Sequence, residues 1–241
     1  MWWLLLAYLT IWLVWMPLRF VTRKQGHKAL STVCKVIPTL LAASLAGWAC
    51  LFGPAADWTA WLLFGGIAIG ACADAALEIR FQVGGALFFI AHCLFVAAMV
   101  LLSPPSGWLI AISGAAFVGA ALFLSRYRPH IADAKLRRGI TLYAVALSAL
   151  LGAALPAPFV AGGSRAAIGA LGAALFVLSD ATLCHNTVSH RMARAREAVA
   201  GGLNPVAERR RIRMEALSLG CYYTAQVALA LCAAAPALLA Q

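Results

Sequence analysis

The chain has 241 residues, 63% of them hydrophobic and 11% charged, with a mean hydropathy of +0.88. Soluble domains run near 45–50% apolar and about 25% charged, and disorder requires low hydrophobicity, so both classes are excluded. What remains is an all-α polytopic membrane protein. At roughly 20 residues per span the chain holds eight helices in a single transmembrane domain covering residues 1–241.

In chain order the apolar runs are Trp2–Leu18, Leu30–Phe52, Trp58–Leu77, Val83–Leu102, Gly107–Leu124, Gly139–Pro158, Ala166–Leu183 and Ala216–Leu239. They are continuous and rich in Leu and Ala, whereas membrane strands alternate over about ten residues. The breaks carry turn or charge signals: Arg19–Lys28, Gly53-Pro54, Glu78–Gln82, Ser103-Pro104-Pro105-Ser106, Ser125–Arg138, Ala157–Arg165 and His185–Glu215. Cations follow the first run instead of preceding it, so it reads as a retained span and not a cleavable signal.

The net charge of +11 admits nucleic-acid binding in principle. The distribution of the cations speaks against it. Seventeen of the nineteen Lys and Arg residues fall in alternate connections, from Arg19, Arg23, Lys24 and Lys28 to Arg209, Arg210, Arg211 and Arg213. The other connections hold only Arg165, and Lys35 lies inside a span. By the positive-inside rule the basic connections are cytoplasmic and both termini lie outside. The expected partners are therefore a lipid bilayer and no nucleic acid. The seven cysteines sit in apolar stretches without a CxxC pair and read as small buried hydrophobes. No metal and no cofactor is expected.

Ionisable residues inside a span are costly and mark function by default. They are Lys35, Asp74, His92 and Asp180, with Tyr143, Ser179, Tyr222, Tyr223 and Gln226 as polar company. Counted at about 1.5 Å per residue, most lie within roughly 10 Å of the basic face, with His92 and Gln226 near 15 Å. That clustering on one side predicts a common polar pocket opening toward the cytoplasm. Structural readings stand beside it. Lys35 has the reach to snorkel or to pair with Asp74, Glu78 reads as an interfacial charge, the tyrosines suit an aromatic belt, and His92 suits a core hydrogen bond. Asp180 has no cation nearby on its own span. A faint echo, Asp74-Ala75-Ala76-Leu77 against Asp180-Ala181-Thr182-Leu183, suggests duplicated four-span halves.

Five segments resemble the lysoplasmalogenases, the bacterial YhhN-like membrane hydrolases and their animal counterparts. Lys35-Val36-Ile37-Pro38 resembles that family's Lys-Pro-Leu-Pro, and Ala73-Asp74-Ala75-Ala76-Leu77 its Gly-Asp-x-x-Leu. Phe81, Gly85, Phe88, His92 and Phe95 follow its aromatic–glycine–histidine spacing. Gly172-Ala173-Ala174-Leu175-Phe176-Val177-Leu178-Ser179-Asp180-Ala181-Thr182-Leu183 and Tyr222-Tyr223-Thr224-Ala225-Gln226 resemble its Gly-Ala-x-Leu-Phe-x-x-Ser-Asp-x-x-Leu and Tyr-Tyr-x-Ala-Gln. Val36, Ala73 and Phe95 depart from the pattern without removing an ionisable group.

The resemblance implies hydrolysis of the vinyl ether bond of a lysoplasmalogen, a lysophospholipid, to a fatty aldehyde and a glycerophospho-base. Asp74 and Asp180 are the expected catalytic carboxyls. Lys35, His92, Tyr143, Ser179, Tyr222, Tyr223 and Gln226 are the expected substrate-binding set. Vinyl ether cleavage needs a general acid and a carboxylate that stabilises an oxocarbenium ion, roles that two buried carboxyls can divide. A small-solute or proton-coupled transporter also suits intramembrane Asp residues, and a non-catalytic lipid-binding or assembly protein is a third reading. Ala-rich usage suits a bacterial inner membrane.

Overall fold

The structure, a computed structural model, describes residues 6, 8–53, 56–126, 134–200 and 205–239; the side chains of 135, 136, 188–200, 205, 207 and 239 are outside the description. Among the described residues there is no strand. A π-helical turn, Ile11–Trp15, runs into α1 (Met16–Lys24). Then come α2 (Lys28–Phe52), α3 (Trp58–Ile79), α4 (Phe81–Leu102), α5 (Gly107–Ser125), α6 (Ala134–Ala154), the short α7 (Ala157–Val160), α8 (Gly163–Ala200) and α9 (Pro205–Leu239). Among the described residues seven helices are long and apolar enough to cross a membrane. The first expected span is described only in part, and its outermost residues, Trp2 among them, lie outside the described residues.

Three boundaries differ from the expected ones. Helix α1 continues past Leu18 to Lys24 and carries Arg19 into the bundle. Only Arg80 separates α3 from α4. The expected connection His185–Glu215 is largely helix, because α8 runs on to Ala200 and α9 starts at Pro205. Charged residues interrupt hydropathy but not helix propensity, and Arg and Glu are good helix formers. Of the expected basic connections, Arg128 lies outside the described residues.

Helices α2, α3, α8 and α9 form the centre, with α4 against α3 and α6 against α4 and α8. Small residues bring them together, as is usual between helices in lipid. A Cβ on Gly84 of α4 would stand 2.6 Å from the Leu77 backbone nitrogen, and one on Gly66 would collide with the Phe95 ring. Helix α5 is different. It has no buried residue, and among the described residues it packs on α6 alone and at most grazes α4.

Each end of the bundle is tied by charge. At one end Arg19 and Arg23 of α1 meet Glu78 of α3 and Glu215 of α9; this is the basic end. At the other, Asp57 caps α3 by accepting the Ala60 N–H at 2.9 Å. Arg165 of α8 forks onto the same carboxylate at 2.7 and 2.8 Å and donates to the Cys232 carbonyl of α9 at 3.0 Å. These Arg165 bonds hold the Asp57 carboxyl below its ordinary range, so the clamp is complete at neutral pH and is lost only as strong acid protonates Asp57. Asn is as good a helix cap as Asp, and Ala is not. Asp57→Asn should therefore lose only the ion pair, while Asp57→Ala should lose about 0.5–2 kcal/mol more, read as the difference in thermal midpoint between the two variants in nanodiscs.

Candidate active site

A cavity of about 1910 Å³ opens among the helices at the basic end, and Asp74 and Asp180 both line it. Its walls are largely apolar, and Arg19, Arg23, Lys24 and Arg211 stand at its polar end together with Glu78, Glu208 and Glu215. Lys35, Tyr143, Ser179 and Tyr222 also line it.

Asp74, on α3, is 1% exposed. A charge so placed needs donors inside the protein, and three arrive from two helices. Thr39 of α2 donates to Oδ2 at 2.9 Å, Tyr222 of α9 donates to the same oxygen at 2.7 Å, and Lys35 Nζ lies 3.3 Å from Oδ1. Lys35 also stands 3.7 Å from Glu78, which pairs with the buried Arg19. Lys35 is thus anchored inward, and Glu78 is one link of an ion network running to Glu215.

Asp180, on α8, has different company. Tyr143 of α6 donates to Oδ2 at 2.6 Å, and His92 Nε2 of α4 lies 3.6 Å from that oxygen. His92 Nδ1 is 2.6 Å from the Phe88 carbonyl. A carbonyl only accepts, so Nδ1 carries a proton and Nε2, which has no hydrogen-bond partner, is left directed at a carboxyl oxygen. Two lone pairs facing each other repel, and one proton held by either group removes the conflict. The Asp180 side chain is also the more open of the two carboxyls, 13% exposed against 2% for Asp74.

Phe176, fully buried, links the two carboxyl environments. Its ring centroid lies 4.6 Å from that of His92 and 5.4 Å from that of Tyr222, both edge-on. It sits one helical turn before Asp180 and so shares its face.

The remaining expected residues serve mainly to lock helices. Ser179 donates to the Ser218 carbonyl at 2.8 Å while Ser218 donates back to the Ser179 carbonyl at 3.0 Å, fastening α8 to α9. Tyr223 donates to the Lys35 carbonyl at 3.2 Å, just before Pro38. Gln226 is 1% exposed, and neither of its amide atoms has a hydrogen-bond partner. His92, Tyr223 and Gln226 are not part of the cavity wall.

Sequence reading missed Thr39, Ser218, and the burial of Arg19. Thr39 lies four residues after Lys35, and Ser218 four before Tyr222, so helical spacing could have found both. Arg19, in an expected basic connection, carried no signal for its 4% exposure. Breaking one side of a buried pair strands the other charge, at about 3–5 kcal/mol. Lys35→Met should lose stability on that scale, and adding Asp74→Asn should recover most of it, measured by thermal unfolding of the singles and the double.

No curated protein and no solved structure matches the chain. The sequence profile of the YhhN family, in contrast, matches residues 30–233, a stretch containing every polar residue of the cavity wall except those on α1. With its multi-pass helical fold, this chain belongs to the YhhN family.

Proposed function

We propose that the protein is a lysoplasmalogenase, hydrolysing the vinyl ether bond of alkenyl-glycerophosphoethanolamine or -choline to a fatty aldehyde and the glycerophospho-base. The observation that carries the reading is that Asp74 and Asp180 share one apolar-walled cavity with a basic end, in a chain of the YhhN family. A single-chain amphiphile matches that gradient, with hydrocarbon in the apolar part and phosphate toward the guanidinium groups.

The unequal surroundings of the carboxyls suit a division of labour. Asp180, facing the His92 lone pair and more open to the cavity, is the general acid. It protonates the β-carbon of the vinyl ether, and the double-bond electrons move to leave an oxocarbenium ion at the α-carbon and oxygen. Asp74, held as a carboxylate by Lys35, Thr39 and Tyr222, stabilises that cation electrostatically. Water adds to the α-carbon and returns a proton to Asp180. The hemiacetal then collapses, breaking the carbon–oxygen bond to release aldehyde and the glycerol hydroxyl. The balance is one vinyl ether plus one water. His92, with Nδ1–H fixed on Phe88, positions the proton of Asp180, and Tyr143 orients the carboxyl.

Asp180→Asn keeps size and hydrogen bonding but cannot transfer a proton, so turnover of an alkenyl-lysophospholipid by purified protein should fall about 10²–10⁴-fold with the thermal midpoint preserved. Wild-type turnover in that variant removes the assignment. A purified wild-type protein that is silent on vinyl ethers but moves a solute across proteoliposomes would instead make it a transporter.

The same reading places the basic end in the cytoplasm of a bacterium, both termini outside its inner membrane. A C-terminal tag should then be cut by protease added to intact spheroplasts and protected in inverted vesicles.

A further inference from the structure

The cavity is not closed on all sides. Helices α4 and α5 are joined by only four residues, 103–106, yet they scarcely touch. Helix α5 leans on α6 near its start, where a Cβ on Gly152 would collide with Ser113 and stand 2.5 Å from the Leu109 carbonyl. From α5 the cavity takes Ala116, Gly119, Ala120, Phe123 and Leu124, spaced i, i+3, i+4, i+7 and i+8, which is one helix face. The α4 residues that line it stop at Ile90. The gap therefore lies between the basic halves of the two helices, flush with the depth of the carboxyls. Arg19 lines the same cavity and is 4% exposed; its terminal nitrogens are held by Glu78, Glu215 and the Ser31 carbonyl, and its Nε has no hydrogen-bond partner among the described residues.

We infer that the hydrocarbon chain of a single-chain phospholipid lies in the gap between α4 and α5, reaching the carboxyls sideways from the bilayer, with its phosphate toward Arg19. The inference rests on the lipid-hydrolase reading and adds where the substrate lies and how it arrives. An aliphatic chain already in the bilayer gains little by moving into another apolar environment, so it needs no aqueous detour, only an opening at membrane depth. The small side chains of α5 leave that opening, and the aromatic Phe89 and Phe123 give it walls. The unpartnered Nε–H of the buried guanidinium supplies what the chain alone lacks, a charge-assisted donor for phosphate.

Two glycines make the gap testable. An added Cβ meets nothing within 4 Å at Gly85 or at Gly119, and both residues line the cavity. A larger side chain there enters the gap without disturbing a helix contact. Gly114 is equally unobstructed on α5 but is not part of the cavity wall. The probe is a 1-acyl-lysophosphatidylethanolamine with a diazirine in mid-chain, photolysed with the full-length protein in phosphatidylcholine nanodiscs. Cross-linked peptides are then mapped by mass spectrometry.

The expected result is labelling concentrated on residues 81–90 and 116–124. It should fall at least about tenfold, a 1.4 kcal/mol loss of binding, in both Gly85→Phe and Gly119→Phe, and stay at the wild-type level in Gly114→Phe. Arg19→Gln should weaken labelling by the phospholipid probe but not by a diazirine alkanol of equal chain length. Labelling spread evenly around the bundle would overturn the inference, as would labelling centred on the groove between Gly47 and Phe64 of α2 and α3. Wild-type labelling in Gly119→Phe would do the same. This probe is an ester and requires no vinyl ether cleavage. Labelling of the gap by a protein that does not hydrolyse vinyl ethers therefore upholds the chain site and removes the hydrolase reading. Hydrolysis with labelling elsewhere does the reverse.

Discussion

A carboxylate withdrawn from both water and headgroups must be met by donors from its own protein, and Asp74 shows what that demand does to a helical bundle. Its partners come from α2 and α9 while it stands on α3. Three helices are thereby fixed in both rotation and height, because a slip of one residue turns a side chain about 100° away. Apolar contact gives no such register in lipid, where a leucine is as content beside an acyl chain as beside another leucine. The glycine contacts at Gly66 and Gly84 then bring α4 close, and His92 comes with it.

The two carboxyls are served by the same scheme. Each takes one partner from the long helix before it in the chain, Lys35 for Asp74 and Tyr143 for Asp180. Each takes another from the last helix of the opposite half, Tyr222 for Asp74 and His92 for Asp180. The first four helices and the last five are interlocked by this exchange, and the short echo in sequence around Asp74 and Asp180 acquires a spatial counterpart. What differs is the chemistry of the partners. An ammonium and two hydroxyls face one carboxyl, while a hydroxyl and an imidazole nitrogen face the other.

Much of this was legible because hydrophobic runs and intramembrane charge are direct physical signals. The helical class, the positions of most spans and the grouping of Asp74 with Lys35 follow from them. Helix ends were less legible at the basic end, where Arg and Glu lower hydropathy without ending a helix, so α8 and α9 extend beyond their apolar segments. Burial of Arg19 was not legible at all, since it depends on Glu78 and Glu215, which are 59 and 196 positions away in the sequence. Nor does sequence distinguish a polar residue that faces a cavity from one that fastens helices. Tyr223 stands next to Tyr222 in the chain, yet its hydroxyl is committed to the Lys35 carbonyl, while Ser179 borders the cavity and fastens α8 to α9 as well.

Helix α5 has 19 residues, about 28 Å of helix at 1.5 Å per residue, which matches a hydrocarbon core of about 30 Å with nothing to spare. Among the described residues it packs on one neighbour, so its tilt answers to the bilayer more than to the protein. A thinner membrane tilts such a helix and a thicker one draws it upright, changing the width of the space beside α4. The lipid around the protein thereby acts as part of its mechanical frame.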